Sequence, residues 1–119
     1  MTLPGIDVRR FDRPDETRTF EKGRLDLITI GDRQLGRATY EPGWRWTDHV
    51  AAIAGTRSCE VPHLGMVLEG RAMIAMDDGP EYVVGPGDVF AVAPGHDSWV
   101  VGDAPYVSLH LLGADAYAT

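Results

Sequence analysis

The stretch Gly85-Pro86-Gly87-Asp88-Val89-Phe90-Ala91-Val92-Ala93-Pro94-Gly95-His96 decides how the chain is read. A turn of glycine, proline and aspartate feeds a short run of β-forming residues, and Pro94-Gly95 turns the chain again. The same rhythm extends both ways. Upstream, Ala72–Met76 and Glu81–Val84 flank Asp77-Asp78-Gly79, a hairpin signal. His63–Leu68 is a strand ended by Glu69-Gly70, and Val50–Pro62 reads as a loop. Further back lie Leu25–Ile30 and Gln34–Glu41, turned by Gly31-Asp32, then a strand at Trp44–Val50. Downstream come Trp99–Val101 and Tyr106–Leu111. The chain of 119 residues carries 14 Gly and 8 Pro between short β-rich segments and no helical period beyond two turns, so the fold class is all-β, a sandwich or barrel. Residues 1–23 are polar and are expected to form a short N-terminal arm lying on the barrel, with one helical turn at Arg13-Pro14-Asp15-Glu16-Thr17; residues 24–119 make the barrel.

This length is one domain with room for a core of its own. Lys plus Arg is 11 against 18 for Asp plus Glu, a net charge of −7, which argues against nucleic acid and anionic membrane as partners. Cys59 is the lone cysteine, so no intrachain disulfide forms and a reducing, cytoplasmic location is expected. The first residues show neither a basic nor an apolar leader segment, and no apolar run is long enough to span a bilayer. A nucleophile elbow, a phosphate loop and a dinucleotide fingerprint are all missing.

The glycine-turn framework resembles that of the cupins. The run from Gly85 to His96 is similar to their second motif, and His63-Leu64-Gly65-Met66-Val67-Leu68-Glu69-Gly70 to the end of their first. The resemblance covers roughly residues 25–112 and implies a double-stranded β-helix, a jelly-roll barrel. It also implies a metal site, with departures. The first histidine position falls on His49, six residues after Gly43; the second is Ala51; the glutamate position, seven before Gly70, is His63. In the second motif the histidine position is Ser98, and His96 stands two residues earlier. The family hosts many chemistries, so fold alone does not fix activity.

His49 and His63 are therefore the first metal candidates, with His96 or Cys59 completing the set. Cys59 precedes His63 by four residues, on the same face if the strand extends that far. A Cys/His set favours zinc; a His-only set leaves Fe, Mn, Ni or Cu. The alternative is a metal-free barrel with hydrogen-bonded interior histidines. If His49 faces inward, so do Arg45 and Thr47, and Trp44 and Trp46 face outward under the arm or in a dimer interface. An inward Arg45 would orient an anionic substrate or pair with Glu41 or Glu60, and Thr47 and Ser98 would add substrate contacts. On the last strand, Val107, Leu109 and Leu111 read as core, and Tyr106, Ser108 and His110 as solvent face. Should that polar face line a cavity, His110 becomes a general base or further ligand, and His96 a second proton-moving group. The expected function is a metal-binding cupin enzyme acting on a small organic acid or aromatic metabolite by isomerase, cyclase or lyase chemistry, which the resemblance extends to natural-product pathways. The expected cofactor is one divalent ion, and the expected partners are a small, anionic ligand and a second copy in a homodimer. The rivals are a non-catalytic binding or sensor cupin and a zinc-bearing accessory cupin that works with a partner enzyme.

Overall fold

The computed structural model describes residues 5–118; residues 1–4 of the expected arm and residue 119 of the expected barrel lie outside it. Its strands, in chain order, are β1 (Glu16–Phe20), β2 (Gly23–Ile30), β3 (Arg33–Tyr40), β4 (His63–Glu69), β5 (Arg71–Met76), β6 (Glu81–Val84), β7 (Val89–Val92), β8 (His96–Val101) and β9 (Tyr106–Leu112). Two single-turn helices, α1 (Trp46–His49) and α2 (Ala51–Ala54), stand between β3 and β4, and a 3-10 turn (Ala114–Ala116) follows β9. The strands form a six-stranded sheet in the order β1-β2-β3-β9-β4-β7 and a three-stranded sheet in the order β6-β5-β8. Every pairing is antiparallel. Among the described residues no helix is long and apolar enough to cross a membrane.

The core lies between the sheets and follows from period-two alternation. Leu25, Leu27, Ala38 and Tyr40 come from β2 and β3, Val67 from β4, Ala72 from β5, and Trp44, Trp46 and Val50 from the connection after β3. Burying the two indoles removes a large apolar area from water, offset in part because neither indole N–H finds a hydrogen-bond partner. β9 reverses the expectation drawn from its sequence. Tyr106, Ser108 and His110 are buried, whereas Val107, Leu109 and Leu111 sit on the outer face. β9 pairs with both β3 and β4, so it lies inside the larger sheet, and its polar face is the one turned to the barrel interior.

The arm is partly strand. Glu16–Phe20 pair with β2 in place of the helical turn expected from residue 13 on. Asp26 is buried beneath β1, where Arg37 (3.1 Å), Arg24 (3.4 Å) and the Thr17 hydroxyl (3.0 Å) meet its carboxylate. The cross-strand register Thr17↔Asp26↔Arg37 brings these groups to one face. Further out, Asp15 accepts from the Thr29 amide at 2.7 Å and Arg37 lies over the Phe11 ring.

The expected strand at Trp44–Val50 is α1 with an extended lead-in. Trp44 and Arg45 pair with β8, through Val100 N–H donating to the Trp44 carbonyl at 3.0 Å and an Arg45↔Trp99 bridge. The chain then coils, because Asp97 accepts from the Thr47 amide (3.2 Å) and the Arg45 amide donates to His49 Nδ1 (3.0 Å). Ala51–Ala54 add a second turn that Gly55 ends in the left-handed conformation, φ 75°.

Candidate metal centre

Three backbone features converge on one end of the barrel. Cys59 bridges to the first residue of β8: its N–H donates to the His96 carbonyl at 2.8 Å, and the Gly95 N–H to the Cys59 carbonyl at 2.8 Å. β4 starts at His63, and β9 carries His110 inward one strand away. Gly65, opposite His110, is packed so closely on the Leu109 carbonyl that a Cβ would clash there, so only glycine lets β9 approach at this point. Cys59, His63 and His96 are all buried, and one donor atom from each lies within 4.8 Å of the others.

The Cys59 sulfur is 3.5 Å from His63 Nε2. The His63 ring is edge-on to His96, His110 and Tyr117 at centroid separations of 5.2, 5.3 and 5.4 Å. His96 Nδ1 is 2.8 Å from the Ala93 carbonyl, an arrangement in which Nδ1 carries the proton and Nε2 is left as a free base. His110 Nε2 meets the Ser108 hydroxyl at 2.9 Å. Tyr117, carried back by the turn at Gly113, stacks on His110 and shares a 2.8 Å hydrogen bond with the Tyr40 hydroxyl. Gly113 has φ 86° and lies against the Pro62 carbonyl, so the return requires glycine.

The electrostatics follow from burial. Burial above all pushes the Cys59 thiol up to about 11. His63 falls to about 3, through burial first and then the charges His110 and His96 would carry. Burial takes His110 to about 4, and it lowers His96 against the pull of the Ala93 carbonyl and nearby carboxylates. At neutral pH the three rings are therefore neutral and the thiol protonated, so Cys59 and His63 are a neutral contact and not a thiolate–imidazolium pair.

The residues fit a metal. Donors on a tetrahedral zinc stand roughly 3.3–3.7 Å apart, given bonds of about 2.0–2.3 Å. Cys59 and His63 already have that spacing. One soft sulfur with two imidazoles is a zinc-type set with room for a fourth ligand. His63 Nε2 meets only the weak sulfur and so keeps capacity for an ion, while its Nδ1, like the indole N–H groups of Trp44 and Trp46, is buried without a hydrogen-bond partner. The adjoining cavity holds about 40 Å³ and is lined by Tyr40, Trp44, Trp46, Phe90, His110 and Tyr117, among others. That is room for one water-sized ligand.

The expected site residues separate. Cys59, His63 and His96 come together, with His110 beside them and Ser98 on the cavity wall. His49 does not join them: α1 turns it to the Arg45 backbone, with Nε2 3.7 Å from Glu21. Arg45 and Thr47 are exposed, and the parity expected at Trp44–Thr47 is reversed: both indoles are buried and line the cavity. Arg45 pairs with Asp97 at 2.8 Å over the Trp99 ring, and Thr47 hydrogen-bonds the same carboxylate. The partner is thus Asp97, where Glu41 and Glu60 were the expected choices. Sequence reasoning missed Tyr40 and Tyr117. Tyr40 was signalled by its shared parity with Ala38 on β3; nothing local marked Tyr117.

No protein-family model matches the chain, and no curated protein matches it by sequence. Solved structures do. A cupin-like protein from Thermotoga maritima superposes with a TM-score of 0.58 at 16% identity, over 90% of this chain and 82% of that one. A protein of unknown function from Acinetobacter sp. gives 0.56 at 11%, over 93% and 92%. A structure of DMSP lyases gives 0.54 at 16%, over 74% of this chain but only 45% of the lyase chain. At these identities the likeness is one of fold. It agrees with the two antiparallel sheets and the glycine turns, and the chain has the jelly-roll fold of a small cupin.

Proposed function

We propose that the chain is a metal-dependent cupin in which Cys59, His63 and His96 hold one divalent ion, zinc by the softness of the sulfur, and that it acts on a small organic molecule by lyase, isomerase or cyclase chemistry. The observation that carries this is the buried convergence of those three donors, with the Cys59 sulfur and His63 Nε2 already 3.5 Å apart. The bound ion would supply Lewis acidity to an oxygen of the substrate. The chain's own residues would do the remaining work. Neutral His110, hydrogen-bonded to Ser108, would take or return a proton beside His63. Trp44, Trp46 and Tyr117 exclude bulk water from the cavity. Arg45 and Thr47 would act from behind, by fixing α1 to β8 through Asp97. A second copy would pack on the outer face of β4 and β9, where Leu64, Leu68 and Leu111 are exposed.

A second reading, a non-catalytic binding cupin, draws support from the tightness of the inner cavity, which admits no metabolite as it stands. Elemental analysis of protein purified without a histidine tag tests the metal. About one equivalent is expected, lost in Cys59→Ala and His63→Ala and kept in His49→Ala. No metal after reconstitution with Zn, Fe, Mn or Ni would remove the proposal. Turnover by the metal-loaded chain alone would favour the enzyme over the binding reading.

A further inference from the structure

A second, larger cavity opens where the two sheets part. β7 is the last strand of the six-stranded sheet and β6 of the three-stranded one, and the turn at residues 85–88 joins them. Between these strands lies a groove of about 540 Å³. Its inner wall is Ile74, Phe90 and Val92, which also line the small cavity beside His63, so the two spaces share a partition of three apolar side chains. The volume is in the range of small-molecule sites, roughly 300–1,000 Å³.

The lining has a definite character. Its acidic residues are Glu81, at the start of β6, and Asp88, whose Oδ2 accepts from the Gly85 amide at 2.8 Å; Tyr82 and Phe90 contribute rings, and no lysine, arginine or histidine lines the groove. Tyr82 and Val89 stand at its mouth, 70% and 71% exposed. Aromatic faces next to carboxylates attract an organic cation and repel an anion, and the overall charge of −7 acts in the same direction. The positive group that suggested an anionic ligand, Arg45, lines neither this groove nor the inner cavity.

We infer that the groove between β6 and β7 is the binding site for a small organic ammonium compound with an apolar body, held one layer of side chains from the cavity beside His63. The inference goes beyond the proposed function and does not require the metal. A partner of this kind fits better than a second chain, because the surface is concave and its charged residues are all acidic, so two copies would bring like charges together.

The test is a pair of probes of matched size and opposite charge, phenethylamine and phenylacetate, titrated into the isotopically labelled full chain and followed by amide chemical shifts. Phenethylamine is expected to shift Tyr82, Val84, Phe90 and Val92 saturably and to bind roughly fivefold more tightly than phenylacetate, a gap that Glu81→Gln closes. Equal or tighter binding of phenylacetate, shifts that map elsewhere, or no saturable shift would overturn the inference. So would a dimer that Tyr82→Ser dissociates, since the groove would then belong to a second copy. Metal content is measured on the same samples. Groove shifts in protein that takes up no metal would leave the binding site standing and remove the metal reading alone.

Discussion

His63 concentrates the chemistry of the site. It opens a strand, contacts the one sulfur in reach, and keeps a ring nitrogen buried without a partner. Its neutrality has a consequence for stability. In the unfolded chain a histidine titrates near 6.5, whereas in the fold His63 and His110 are held at about 3 and 4. Between those values the unfolded state binds more protons, so stability rises with pH and is lost as pH falls from about 6.5 toward 4. Metal-free protein should show a lower urea midpoint at pH 5 than at pH 7, and His110→Phe should flatten the difference. An unchanged midpoint in the parent protein would contradict the buried, neutral assignment. Asp97 is a second residue of consequence, because its carboxylate accepts from Arg45, Thr47 and the Ser98 amide. Asp97→Ala should cost about 1–3 kcal/mol in urea unfolding by leaving the α1 terminus unbonded. A change within about 0.5 kcal/mol would mean that these bonds add little beyond what water supplies.

At the scale of elements, the strand framework from β2 to β9 was legible because glycine and proline punctuate it, and because residues of alternating character tell a strand from a helix at that length. The connection from Trp44 to Ala54 was misread. Counting residues in step with the first cupin motif required His49 to face inward, and that set the wrong parity for Trp44, Arg45 and Trp46. The run Ala51-Ala52-Ile53-Ala54-Gly55 did carry a helix-and-stop signal, but α1 depends on Asp97, more than 40 residues away, which no local pattern reveals. The inward placement of His110 was the second of two readings of β9 for a related reason: a polar face turns inward only where a cavity receives it, and the strand's own sequence does not show the cavity. The C-terminal return is the element most open to test. Tyr117 fills the space between the inner cavity and a second hollow lined by Cys59, Val61 and Trp46. Tyr117→Ala should destabilise by about 3 kcal/mol and join the two spaces, whereas Tyr117→Phe should cost about 1 kcal/mol through the lost bond to Tyr40. Equal costs for the two variants would contradict the packing role.

For the whole molecule, the buried donor cluster and the larger groove both lie along the seam between two unequal sheets. The centre lies inside the seam at one end, the β6–β7 groove opens beside it, and the outer face of β4 and β9 stays apolar. If that face holds a second copy, Leu64→Glu with Leu111→Lys should give a monomer by sedimentation while leaving metal content unchanged; a parent chain already monomeric at high concentration would remove the dimer. Acidic excess, small size and a single cysteine are common to many chains. What distinguishes this one is that the cysteine meets two histidines out of solvent. Cobalt(II) substitution of the tag-free chain reads that meeting directly. A cysteine-bound ion gives a thiolate-to-cobalt charge-transfer band with tetrahedral visible absorption. The band is expected in the parent and in His49→Ala, and lost in Cys59→Ala and His63→Ala. Cobalt bound without the thiolate band, or a band that survives Cys59→Ala, would contradict a centre built on Cys59, His63 and His96.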